Sequence, residues 1–143
     1  MRAAMEEAKS AAERDEVPIG AIIVNSEGKI IAKAGNRTRE LNDPSAHAEI
    51  LVIRAACDAA QAQRIPGHIL YVTVEPCAMC AAALSFARIK HVIIGASDPK
   101  GGGILHGGKF YEQPTCHHKP TVQHGLMADA CGQILKDFFK KRR

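Results

Sequence analysis

Apolar residues at helical spacing mark both ends of the chain. Residues 2–14 are rich in Ala and Glu, and Met5, Ala8 and Ala12 are spaced to share one face of a helix. Residues 126–141 repeat this spacing on a stripe formed by Leu126, Ala130, Ile134 and Phe138. We therefore predict an amphipathic helix at each end of the chain, the first one ending before Pro18.

Strand patterns follow the first helix. Two β-rich runs cover residues 20–25 and 29–34, and Gly28 lies in the connection between them, where a tight turn needs a positive φ. This arrangement predicts a β-hairpin.

Helical and β-branched segments alternate over the next part of the chain. An Asp-Pro pair marks an N-cap and a first helical position, which predicts a helix over residues 43–60. Residues 69–74 and 91–96 are β-branched runs on either side of an Ala-rich helix at residues 76–87. This strand–helix–strand unit predicts a parallel pair of strands joined by a right-handed crossover.

Together these elements predict an α/β domain with helices on both faces of a mixed sheet. Residues 98–120 are rich in Gly, Pro and His, and we expect them to form an irregular excursion. The chain has 143 residues, of which 46% are hydrophobic and 24% charged. These values exclude intrinsic disorder and favour one globular domain over residues 1–143.

The net charge of +4 is concentrated at one end of the chain. Residues 140–143 are all Lys or Arg, and without them the remaining 15 basic residues balance 15 acidic ones. A cationic tip suits contact with a polyanion, but it equally suits a solvated helix end.

No apolar run is long enough to span a bilayer, and the first residues lack the apolar stretch of a secretion signal. We therefore expect a cytoplasmic protein without membrane contact.

Two short segments carry the candidate chemistry. The five cysteines are an odd number, which favours metal binding or catalysis over a disulfide framework. Cys77 and Cys80 are three residues apart at the start of a predicted helix, so their sulfurs point the same way and the helix dipole favours thiolates. With the imidazole of His47, they form a donor set that suits tetrahedral Zn²⁺ and leaves a fourth position for water.

The fourth ligand position and Glu49 separate a catalytic zinc from a structural one. Cys116, His117 or His118 could close the position, but they lie in the irregular excursion, whereas the other ligands start helices. Alone, Glu49 would be a favourable first-turn acid on a helix dipole. Beside this donor set, its carboxylate can take a proton from zinc-bound water and return it to a leaving nitrogen. We predict that Glu49 is catalytic.

His-x-Glu followed by Pro-Cys-x-x-Cys is the signature of zinc-dependent nucleobase deaminases. Much of the chain resembles one branch of them, the bacterial tRNA-specific adenosine deaminases. The resemblance covers residues 16–21, 36–37, 43–50, 70–80, 95–100 and 137–143. It implies a three-layer α/β/α fold of the cytidine-deaminase type, with a central mixed sheet of about five strands.

The resemblance also implies an activity, which is hydrolytic conversion of adenosine to inosine at the wobble position of a tRNA anticodon. His47, Cys77 and Cys80 would hold one Zn²⁺ per subunit, and Glu49 would shuttle protons while hydroxide attacks C6 of the purine. Members of the family form homodimers and use no organic cofactor. The tRNA anticodon stem-loop would be the partner.

A further set of residues is implied to contact RNA. Asn36 and the backbone N–H of Ala48 would contact the inserted base. Asp98 and Lys100 would lie near the neighbouring nucleotides, and the tail from Phe139 through Arg142 to Arg143 would lie near the anticodon stem-loop. Residues 101–120 depart from the compact turn of the family. We therefore assign no RNA contact within them.

Three functions stay open at this point. Besides an RNA adenosine deaminase, the motifs allow a deaminase of a free base or nucleoside, such as guanine or cytosine, and a non-catalytic zinc-stabilised RNA-binding module. The basic tail disfavours the second, because a small neutral substrate gains little from distant cations. Glu49 and the open ligand position disfavour the third.

Other chemistry-bearing residues receive structural interpretations. Residues 103–109 fit the spacing of a phosphate loop, but they lack its Ser or Thr and its flanking strand and helix. Cys57 and Cys131 fall in helical apolar stretches and are predicted to be small core residues. The histidines without a partner at ligand spacing are predicted to lie at the surface or in turns; they are His68, His91, His106 and His124.

Overall fold

The computed structural model describes residues 1–142, which form a five-stranded sheet and four α-helices. In chain order, the elements are α1 (Arg2–Glu13), β1 (Gly20–Val24), β2 (Ile30–Gly35), α2 (Ala48–Ala60), β3 (Ile69–Val74), α3 (Ala78–Phe86), β4 (His91–Ala96), β5 (Thr121–His124) and α4 (Ala128–Lys140). A 3-10 helix, Phe110–Glu112, lies between β4 and β5.

The strands are arranged in the order β2-β1-β3-β4-β5. β1 is antiparallel to both of its neighbours, whereas β3, β4 and β5 run parallel. The β1–β2 hairpin turns at Gly28, whose φ is 81°, and α3 connects the parallel pair β3 and β4. Both features confirm the sequence predictions, and the five strands match the number that the resemblance implies.

Helices cover both faces of the sheet. On one face, the buried Ala4 of α1 packs on Ile22 and Val24 of β1, and α4 lies beside α1 against β3 and β4. On the other face, Val52 of α2 and Leu84 of α3 belong to the main core with the buried side chains of β3 and β4. The result is the predicted three-layer α/β/α fold. Within residues 1–142, no helix combines the length and apolar character needed to cross a membrane.

Several element boundaries differ from the predictions. The second helix begins at Ala48 instead of residue 43, because Asp43 closes a turn: its Oδ1 accepts hydrogen bonds from the N–H and hydroxyl of Ser45 at 2.9 and 2.6 Å. The third helix begins at Ala78 instead of residue 76. The strand β5, after the irregular excursion, was not predicted. Residues 103–109 form turns and bends, so the phosphate-loop hypothesis has no structural support.

Candidate active site

His47, Cys77 and Cys80 come together where two helices begin. His47 is the N-cap of α2, Cys77 is the N-cap of α3, and Cys80 lies in the first turn of α3. His47 Nδ1 lies 3.7 Å from Cys77 Sγ and 3.5 Å from Cys80 Sγ. In a tetrahedral zinc site, bonds of about 2.0 Å to nitrogen and about 2.3 Å to sulfur place these atoms about 3.6 Å apart. The donor types and their spacing therefore fit a tetrahedral metal ion.

Hydrogen bonds among these three side chains separate the pKa values of the two thiols. The hydrogen bond from Cys80, with a further contribution from His47, lowers the pKa of Cys77 to about 4 against the opposing effect of burial. The same Cys77–Cys80 hydrogen bond, together with burial, raises the pKa of Cys80. Cys77 and Cys80 share one proton in this hydrogen bond. A metal ion binds the two sulfurs as thiolates, so metal binding would displace that proton.

Glu49 lies in the first turn of α2 and is 3% exposed. Its Oε1 is fully buried and has no hydrogen-bond partner within residues 1–142. Burial raises the pKa of Glu49 to about 7, with the nearby Cys77 and His47 acting in opposite directions. Buried carboxylate oxygens are normally hydrogen-bonded, so an unpartnered one beside the His47–Cys77–Cys80 group is available to accept a hydrogen bond from a bound substrate. Its pKa suits proton transfer near neutral pH.

The residues that could have closed a structural zinc site lie elsewhere. Cys116 is buried and its Sγ lies 3.1 Å from the carbonyl oxygen of His118, while His118 Nε2 lies 2.7 Å from the carbonyl oxygen of Ile89. Over residues 1–142, the three-residue group of His47, Cys77 and Cys80 is the one whose ligand atoms converge. The structure therefore offers no fourth protein ligand from the Cys116–His118 segment.

Asn36 and Ala48, both predicted to contact the base, contact each other. Asn36 Oδ1 accepts a hydrogen bond from the Ala48 N–H at 2.8 Å, and the Asn36 side chain is almost fully buried. This bond fixes the start of α2 between the two site residues that flank Ala48. Because the Ala48 N–H is already engaged, the amide nitrogen of Asn36 is the better placed of the two groups to meet a ligand.

Asp98 and Lys100 lie in the loop that follows β4. Asp98 Oδ1 accepts hydrogen bonds from the N–H groups of Lys100, at 3.1 Å, and Gly101, at 2.9 Å. The Asp98 carboxylate therefore closes a turn, and Lys100 is exposed. Lys100 lines a groove together with Phe139, which is 47% exposed on α4, and with the neighbouring Lys136 and Lys140.

Arg142 makes contacts within the chain. Its guanidinium lies 3.5 Å from the centroid of the Phe138 ring, and it pairs with the carboxylate of Asp15, just beyond α1. Nη1 also donates to the carbonyl oxygen of Phe138 at 3.2 Å. Arg142 is therefore held against the end of α4 and against the residues that follow α1. Arg143, the last residue of the predicted tail, lies outside the described residues.

Two buried carboxylates were not identified from the sequence. Glu16 accepts hydrogen bonds from the N–H groups of Arg39 and Glu40, and Glu75 accepts several from the loop after β4. His106, predicted to be an isolated surface or turn residue, contacts Glu75 through Nδ1 at 2.8 Å. An acidic residue directly after an apolar strand was the available signal for Glu75. Its partners, 23 to 31 residues away, left no local pattern.

The remaining cysteines partly follow the predictions. Cys131 is 1% exposed, which confirms a small core residue in α4. Cys57 is half-buried in α2 and packs against the edge of the main core. Burial raises the pKa of both thiols, so neither is activated as a nucleophile.

A three-layer fold with a His–Cys–Cys group and a buried glutamate beside it defines a nucleobase deaminase. The chain belongs to the family of MafB19-like deaminases, whose family model matches residues 1–143. This finding and the relatives described next confirm the predicted resemblance.

The similar proteins include tRNA-specific adenosine deaminases. The chain is 58% identical over 143 residues to that of Agrobacterium fabrum, covering 100% of this chain and 93% of the relative. It is 45% identical over 143 residues to that of Aquifex aeolicus, again covering 100% of this chain and 93% of the relative. A solved structure from studies of A-to-I editing by tRNA:A34 deaminases at the wobble position is 59% identical, with a TM-score of 0.93, and covers 94% of this chain and 97% of that chain.

Proposed function

We propose that this protein deaminates adenosine to inosine at the wobble position of a tRNA anticodon. The observation that carries the proposal is the buried, unpartnered carboxylate oxygen of Glu49 beside the His47–Cys77–Cys80 group. The identity to relatives named as tRNA-specific adenosine deaminases supports this substrate. The residues 1–143 would act as one catalytic domain.

The metal in this proposal is one Zn²⁺ per subunit, held by His47, Cys77 and Cys80. When bound, zinc supplies a Lewis acid that makes water nucleophilic near neutral pH. Glu49 takes a proton from the attacking water and returns it to the amino nitrogen that leaves C6. The balance is one water consumed and one ammonia released for each adenosine converted to inosine.

The residues around the site would position the RNA. The amide nitrogen of Asn36 would donate to the base, because its oxygen is engaged by Ala48. Lys100, Phe139 and the basic tail would meet the neighbouring nucleotides and the anticodon stem, with cations attracting phosphates and Phe139 offering an exposed ring. Asp98 would act by shaping the turn that presents Lys100.

We also propose a homodimer that works in the cytoplasm without an organic cofactor. The nine residues of α3 contain no charged side chain, and Met79 and Phe86, seven residues apart on this helix, are 40% and 67% exposed. An exposed apolar helix face of this kind suits contact with a second copy of the chain. Sedimentation of the wild type and of Phe86→Glu would test this, with a dimer expected for the wild type alone.

Inosine formation in an anticodon hairpin tests the proposed substrate. The zinc-loaded protein should convert adenosine at the wobble position of a synthetic tRNA anticodon hairpin, detected by sequencing and by ammonia release. Free adenosine, guanine and cytosine should release little ammonia under the same conditions. Preferential deamination of a free base or nucleoside would refute the assignment to tRNA. A protein that binds the hairpin without releasing ammonia would be a binding module.

A further inference from the structure

The carboxylate of Glu75 organises the loop that follows β4. Its side chain is 0% exposed. Oε1 accepts hydrogen bonds from the Asp98 N–H at 3.0 Å and from His106 Nδ1 at 2.8 Å. Oε2 accepts from the backbone N–H groups of residues 104–106 at 3.0–3.3 Å. Five donors thus converge on one buried carboxylate, and all of them belong to residues 98–106, which we call the Glu75 loop.

The Glu75 loop also packs against the start of α3. The Gly103 N–H donates to the carbonyl oxygen of Pro76 at 2.8 Å, and a Cβ at position 103 would lie only 2.5 Å from the backbone nitrogen of Ala78. A Cβ at Gly102 would lie still closer to Glu75 Oε2. The backbone therefore comes too close for a side chain at either glycine. Glu75 links this loop to the metal-binding end of the helix.

The same loop presents a cation at the surface. Asp98 Oδ1 closes the turn that carries Lys100, and Lys100 lines the groove that also contains Lys136, Phe139 and Lys140. If the five hydrogen bonds to Glu75 were weakened, the turn would lose its attachment to the end of β3. The position of Lys100 relative to the metal-binding group therefore depends on Glu75.

We infer that Glu75, together with His106, is a positioning residue that holds the Glu75 loop in place to receive the RNA flanking the reacting base. This inference rests on the proposed function. Neither residue belongs to the His47–Cys77–Cys80 group, and Glu49 lies on α2, outside the Glu75 loop. Loosening the loop should therefore weaken RNA binding while leaving the chemical step in place.

The test compares His106→Ala with the conservative His106→Asn. The amide nitrogen of Asn can occupy the place of His Nδ1 and donate to Glu75, whereas Ala leaves that carboxylate oxygen with one donor fewer. For His106→Ala, we expect the KM for the anticodon hairpin to rise about tenfold, the size expected from one hydrogen bond to a charged group. We expect kcat to stay within about twofold and His106→Asn to restore the KM.

A binding measurement separates this role from catalysis. A hairpin with guanosine at the wobble position has no C6 amino group to lose, and its Kd by fluorescence anisotropy should rise in His106→Ala by the same factor as the KM. The zinc content should equal that of the wild type. Glu75→Gln, which replaces one acceptor oxygen by a donor, should show the same pattern more strongly if circular dichroism shows it folded.

His68→Ala is the matched control, because His68 lies before β3, at the other end of this strand from Glu75. It should behave like the wild type. Two results for His106→Ala would overturn the inference. The first is an unchanged KM together with a lower kcat or a loss of zinc, and the second is a KM and a Kd equal to those of the wild type. Failure of the wild type to deaminate the hairpin would instead refute the proposed function.

Discussion

At the scale of single residues, two buried glutamates show how local donors decide a carboxylate's role. Glu49 and Glu75 are 3% and 4% exposed. Burial raises the pKa of Glu49 to about 7 despite hydrogen bonds that lower it, and its Oε1 has no partner among residues 1–142. Burial also opposes ionisation of Glu75, but its hydrogen bonds, led by that from the Asp98 N–H, lower its pKa. The first carboxylate suits proton transfer, and the second serves as a fixed anion.

Replacing Glu49 by Gln tests the first of these roles. Gln has the same shape as Glu but cannot accept and return a proton. Residue 49 lies outside the His47–Cys77–Cys80 group, so the substitution removes no metal ligand. We therefore expect retained zinc and fold, with kcat for the anticodon hairpin lowered about 10²–10⁴-fold. Metal analysis, circular dichroism and a single-turnover inosine assay check these expectations.

The matched control is Glu27→Gln in the exposed turn of the β1–β2 hairpin, which should retain wild-type activity. Loss of zinc from Glu49→Gln would make Glu49 a structural residue. Undiminished inosine formation would show that another group transfers the proton.

The sequence was sufficient to predict that His47, Cys77 and Cys80 come together beside Glu49, because these residues lie at the starts of two helices. Their roles as metal ligands and as proton carrier stay predictions. Cys77 and Cys80 lie within one helical turn, and Glu49 is two residues after His47. Glu75 was beyond the reach of such reasoning, because its donors come from a loop 23 to 31 residues away. Only the folded chain brings this carboxylate and the loop together.

At the scale of elements, burial decides which strands and helices can be predicted. β3 and β4 contain no exposed residue, and their β-branched runs were sufficient to predict both strands. β5 is an edge strand with three of its four residues exposed, so it carries no apolar alternation that would reveal it. The predicted start of α2 is wrong because Asp43 caps a turn instead of the helix, and both motifs use the same residue type.

Glu16 connects the end of α1 to the turn that follows Asn36, and this connection predicts a pH dependence of stability. Its carboxylate is 1% exposed. Burial opposes its ionisation, but hydrogen bonds from the Glu40 and Arg39 N–H groups and from the Thr38 hydroxyl bring its pKa below the ordinary value of 4.5. A lowered folded-state pKa stabilises the fold above about pH 4.5, and this contribution is lost as the pH falls through the folded pKa.

Urea unfolding of Glu16→Gln checks this dependence. At pH 7 we expect the free energy of unfolding to fall by about 1–3 kcal/mol, because backbone donors lose a charged acceptor. As the pH falls below about 4.5 and through the lowered folded-state pKa, the difference between variant and wild type should shrink, since the wild-type carboxylate is then becoming protonated. Glu27→Gln again serves as the exposed control. A constant difference between variant and wild type from pH 7 to pH 3 would contradict the assigned linkage.

At the scale of the whole molecule, charge is distributed unevenly over a nearly neutral body. The four basic residues 140–143 equal the net charge of +4. Arg142 is held against Phe138 and Asp15, so this part of the tail has a defined place beside α1. Lys140 lies with Lys100 and Lys136 around the groove next to α4. Lys140 of the tail thus extends the surface on which the loop after β4 lies, which favours one continuous contact with RNA phosphates.

Deleting residues 140–143 tests this surface through its salt dependence. For every phosphate that the tail no longer neutralises, the slope of log K against log salt concentration should fall by about 0.7–0.9. The truncated protein should therefore bind the anticodon hairpin more weakly and with a flatter slope. The rate at saturating hairpin should change little, because the metal-binding group and Glu49 remain. Lys33→Ala, on the edge strand β2, removes one exposed cation elsewhere and should leave the slope unchanged. An unaltered slope in the truncated protein would exclude the tail from RNA binding.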